Sequence, residues 1–117
     1  MASGGIYHEF THDDNLVRSS NRRLVFTVAG MTAIQTTGTY AFYVLRELGD
    51  ADYDELVANA LVAVADGVMV KANPSTLTVP LDVDDWPDAP GEYAFELWRI
   101  DTGNRDRISY GPFPVIP

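Results

Sequence analysis

From residue 23 onward, apolar and polar positions alternate along much of the chain with a period of two. The segment "RLVFTVA" (residues 23–29) puts Leu24, Phe26 and Val28 on one face. "TLTVPLDVDDW" puts Leu77, Val79, Leu81 and Val83 on one face, against Thr78, Pro80, Asp82 and Asp84 on the other. A period of two predicts strands with one buried face. Two further segments are apolar on both faces. In "TYAFYVLREL" (39–48), Tyr40, Phe42 and Val44 oppose Ala41, Tyr43 and Leu45. In "EYAFELWRI" (92–100), Tyr93, Phe95 and Leu97 oppose Ala94, Trp98 and Ile100. Such strands sit centrally in a sheet with a cover on each face. A small two-sheet body has one interior, so the second face needs the N-terminal segment, a loop such as 50–60, or another chain.

Turn chemistry divides these segments. Asp66-Gly67 suits a two-residue hairpin between "ALVAVA" and "VMVKA". Pro90-Gly91 suits the centre of a type II turn, and "DTGN" (101–104) turns the chain into its last strands, "RDRISYG" and "PFPVIP". Pro80 donates no ladder hydrogen bond, which predicts an edge strand or an unpaired amide side there. Segment 50–60 reads as a loop or a single helical turn capped by Asp52. The whole predicts an all-β, single antiparallel β-sandwich over residues 21–117. Residues 1–20, with "SGG" and sparse apolar positions, read as an extended N-terminal arm that docks on a neighbour.

Composition narrows the function. The 117 residues suffice for one domain with its own core. The absence of cysteine excludes disulfides, thiolate metal sites and a cysteine nucleophile. No apolar run reaches the roughly 20 residues of a membrane-spanning helix, and the N-terminus has no secretion-signal pattern. The net charge of −9 argues against nucleic acid as a partner.

The stretch "DDWPDAPGEY" resembles the tyrosine corner of immunoglobulin-like and fibronectin-like sandwiches, with Pro90, Gly91 and Tyr93 as its parts. The alternative is that Tyr93 is a plain core aromatic. The order "LDVDDW", "PGEYAFELWR", a glycine-containing turn and "RISYGPFPV" is similar to the immunoglobulin-like N-terminal domain of phage upper-baseplate and tail-fibre proteins. Leu81, Asp85, Gly91, Tyr93, Phe95, Leu97, Gly111, Phe113 and Val115 carry the resemblance, which covers roughly residues 23–117. It implies a non-enzymatic structural protein on the virion exterior or tail, without cofactor. Its partners would be other virion proteins and copies of itself. A capsid decoration protein and a carbohydrate-binding or adhesion module are the alternatives.

Candidate chemistry is sparse. His8 and His12 lie in the arm, and no nucleophile elbow, phosphate loop or zinc-binding helix motif occurs. Asp82, Asp84, Asp85 and Asp88 are the one metal candidate, as hard oxygen ligands, but they lack the EF-hand spacing and equally describe a solvated strand end. Aromatic residues supply the interface candidates: Tyr7, Phe10, Tyr40, Tyr43, Trp86 and Trp98. Trp86 either plugs one end of the sandwich or stands exposed.

Overall fold

The computed structural model describes residues 5–27, 38–47, 53–72, 76–100 and 105–117. The strand end at Val28, the cap at Asp52 and the turn at 101–104 lie outside those residues. The elements run β1 (Ile6–Tyr7), β2 (Arg22–Thr27), β3 (Tyr40–Leu45), α1 (Tyr53–Asn59), β4 (Val62–Ala65), β5 (Val70–Ala72), β6 (Thr76–Leu81), β7 (Gly91–Arg99) and β8 (Asp106–Val115). Two short 3-10 turns, His12–Asp14 and Asp66–Val68, link them.

The strands form two sheets, ordered β1-β8-β7-β3-β4 and β2-β6-β5. All named pairings are antiparallel except β1 with β8. The sheets face each other across one core. Leu24 and Phe26 from β2 and Leu77, Val79 and Leu81 from β6 meet Phe42, Val44, Phe95, Leu97 and Phe113 from the larger sheet. The period-two reading therefore assigns the inner face correctly through Leu81. Val83 departs from it: the strand ends at Leu81, and Val83 is exposed.

Pro80 lies on the central strand of the smaller sheet, not on an edge. Its neighbour β5 stops opposite Thr78, so at Pro80 only β2 flanks the strand. The missing N–H costs nothing if it faces the side that β5 leaves empty.

Asp66-Gly67 does not close a hairpin, because β4 and β5 belong to different sheets. The Asp66 side chain explains the difference. Its Oδ1 accepts from the Tyr40 backbone N–H at 2.9 Å and pairs with Lys71 Nζ at 2.7 Å. Those contacts, the first spanning 26 residues, hold a 3-10 turn that carries the chain from one sheet to the other.

Residues 5–20 are not a free arm but pack along the body of their own chain. Phe10 and Leu16 are buried in the shared core. β1 pairs with β8, His8 N–H donates to the Tyr110 carbonyl at 2.9 Å, and Val17 bridges to Ile116. The Cα radius of gyration is 13.3 Å, against about 13.4 Å for a compact chain of this length. Gly5 also serves packing. It has a φ of 95°, and a Cβ there would lie 2.8 Å from the Arg107 carbonyl oxygen. Glycine at this position fits the close approach to β8.

Candidate binding surfaces

Five of the six aromatic interface candidates are buried within their own chain. Phe10 and Tyr40 belong to the shared core. Trp86 closes one end of it. Its ring stacks on Phe113, and its indole N–H donates to the Ser20 carbonyl at 2.8 Å. Tyr43 and Trp98 lie on the outer face of the five-stranded sheet, where α1 covers them. Leu56 and Tyr53 of α1 pack with Ala41, Tyr43, Leu45 and Trp98 in a second apolar cluster. The Tyr43 and Tyr53 hydroxyls are 2.5 Å apart, and the Tyr53 and Trp98 rings meet edge to face. α1, within the segment 50–60, is thus the cover that a two-faced strand needs. Tyr7 alone of the six is exposed, with its ring edge-on to Tyr110.

Tyr93 makes the bond that the resemblance to a tyrosine corner implies. Tyr93 Oη donates to the Ala89 carbonyl at 2.6 Å, four residues upstream. The four aspartates do not gather as metal ligands; no group of three or more such side chains occurs among the described residues. The Asp85 carboxylate instead accepts from the Asp82 backbone N–H at 2.9 Å, closing the turn after β6.

Glu96 is a polar group that the patterning did not single out. It lies on the outer face of β7 and is 1% exposed. Trp98 Nε1–H donates to its carboxylate at 3.0 Å, and Arg107 Nη1 lies 3.7 Å away. Burial pushes the Glu96 carboxyl above the usual carboxylate range, while the indole and guanidinium pull it partly back. Burial and the Tyr53 hydroxyl likewise raise the Tyr43 phenol. The sequence clue is a carboxylate at the middle of a strand that is apolar on both faces.

The outer face of the three-stranded sheet carries no covering element among the described residues. Its cross-strand rows are Arg23–Pro80, Val25–Thr78–Val70 and Thr27–Thr76–Ala72. Val25 and Val70 are each 61% exposed. The rows contain a single charge, Arg23, and no carboxylate, on a chain of net charge −9. Two hollows adjoin the sheets. One, of about 240 Å³, runs between β1 and β2; the other, of about 390 Å³, lies over Ala41, Ala63 and Ala65 beside Tyr43 and Ile100. The chain matches no family model, and no curated protein or solved structure is significantly similar to it.

Proposed function

We propose that this chain is a non-enzymatic, immunoglobulin-like β-sandwich serving as a structural subunit of a phage or phage-like particle. Its place is the tail, baseplate or fibre-attachment region. The strand order supports the fold part of this reading. β2-β6-β5 corresponds to the B-E-D sheet and β8-β7-β3-β4 to G-F-C-C′, with the tyrosine corner at the start of β7, as in strand F. Two residues beyond Tyr93, where antibody domains have their second cysteine, stands Phe95. Its ring lies 5.7 Å from Phe26 and is stacked at 5.9 Å on Phe42. An aromatic trio thus fills the place of a disulfide in a chain without cysteine.

The observation that carries the function is the bare Val/Thr face of the three-stranded sheet. A sheet face with one charge and no carboxylate, on a chain of net charge −9, is suited to another protein surface. The likeness to phage domains adds the kind of particle. The carbohydrate reading loses its support, because Tyr43, Trp86 and Trp98 are buried and offer no stacking platform. Mass spectrometry of purified particles tests the proposal. This chain in fixed stoichiometry with tail or baseplate proteins is the expected result; its absence from particles overturns the reading.

A further inference from the structure

Exposed sheet edges carry unpaired amides and carbonyls, and proteins blunt them with short strands, prolines, lysines or bulges. Three of the four edges here are short: β1 has two residues, β5 three and β4 four. The fourth, β2, has six residues, "RRLVFT", and an unbroken register to β6; its charges, Arg22 and Arg23, stand together at one end, and residues 24–27 carry neither charge nor proline. Among the described residues β6 is its one strand neighbour, and none of its backbone groups bonds to a loop. Beside this edge lies the 240 Å³ hollow, walled by Ile6, Tyr7, Val25 and Thr27 over Phe26 and Ile108.

We propose that β2 pairs antiparallel with β2 of a second copy of this chain, about a two-fold axis at Val25. The pairing follows from three constraints. First, Leu24 and Phe26 point inward, so opposed residues must share a face and the axis must pass through a residue rather than between two. Second, if Pro80 directs its nitrogen away from β2, the alternation of the ladder turns the amides of Arg23, Val25 and Thr27 to the free edge. An axis at Val25 uses all three, whereas an axis at Leu24 uses two. Third, the axis at Val25 sets Arg23 against Thr27 of the other copy, so no like charges oppose. The edge carries no carboxylate, and a second copy meets little of the repulsion that net charge −9 imposes elsewhere. Ile6 and Tyr7, both about half exposed, line the same side and come towards the partner. This deepens the assembly reading by naming one contact, and its test on isolated protein is separate from the particle experiment.

Sedimentation equilibrium of the purified chain should show a mass rising with concentration from 12.9 kDa towards twice that value. Val25→Pro removes a central donor and should leave a monomer whose circular dichroism is unchanged. Val25→Cys reads the axis directly, and does so even if the proline variant fails to fold. Paired Cα atoms about 5.5 Å apart lie within disulfide reach. The Val25→Cys protein should cross-link at least tenfold faster than Val57→Cys, placed on exposed α1 as control. A monomeric mass up to millimolar concentration, or equal cross-linking rates, overturns the proposal and leaves this edge to a segment of another protein.

Discussion

A Cβ at Gly111 would collide with the carbonyl oxygen of His8, and neither backbone is free to retreat, because His8 N–H is bound to the Tyr110 carbonyl at 2.9 Å. Gly111→Ala should therefore cost about 2 kcal/mol or more by urea denaturation, in the range of an overpacked core. Glu96 makes a prediction of different form. Its folded-state carboxyl is raised, so its contribution to stability is full below the ordinary carboxylate pKa and is lost as pH rises through the folded value. Glu96→Gln keeps an acceptor for the Trp98 indole but cannot ionise. Relative to wild type, the variant should gain stability as pH rises from 4 to 7, whatever its absolute stability at pH 4. Denaturation at both pH values checks this; a difference independent of pH would mean that Glu96 titrates as it does unfolded.

Element by element, the strands were legible and the pieces that cover them less so. Alternation identified Leu24, Phe26, Leu77, Val79 and Leu81, because burial against a second sheet imposes a period of two. It also showed that β3 and β7 need a cover on each side. It could not say which element provides it. α1 spans seven residues, with Leu56 its buried residue, so it shows little helical period. The N-terminal segment contributes Phe10 and Leu16, six residues apart, which no periodic pattern joins. The bond from Tyr93 to the Ala89 carbonyl was legible because its turn and aromatic are adjacent in sequence. The bond from Asp66 to Tyr40 was not, because it spans 26 residues. Two consequences follow at this scale. Trp98→Ala should lower the stability of the isolated protein by about 3–5 kcal/mol, as for a buried aromatic, since α1 and not another subunit lies over it. Deleting residues 1–20 should abolish cooperative thermal unfolding rather than release a folded domain, because Phe10, Leu16 and β1 leave with it.

The whole molecule has two outer sheet faces, and it treats them differently. The five-stranded face carries α1, and its aromatic residues are spent on internal packing. The three-stranded face carries nothing among the described residues and stays uncharged across all three strands, apart from Arg23 at one end. Edge pairing through β2 would join two such faces into one continuous surface of six strands, twice as wide. A surface of this kind suits contact with a second protein layer, and a charge placed in it should stop that contact without harming the fold. Val70→Lys with Ala72→Lys sets two ammonium groups on the face, both on β5 and away from the β2 edge. At exposed positions the substitutions should change stability by no more than about 0.5 kcal/mol each. Burying an unpaired ammonium in an interface costs several kcal/mol, so incorporation into particles should fall at least tenfold. Dimerisation through β2 should persist. Wild-type incorporation of the doubly substituted chain would show that particles grip some other surface, and the bare face would then need a different explanation.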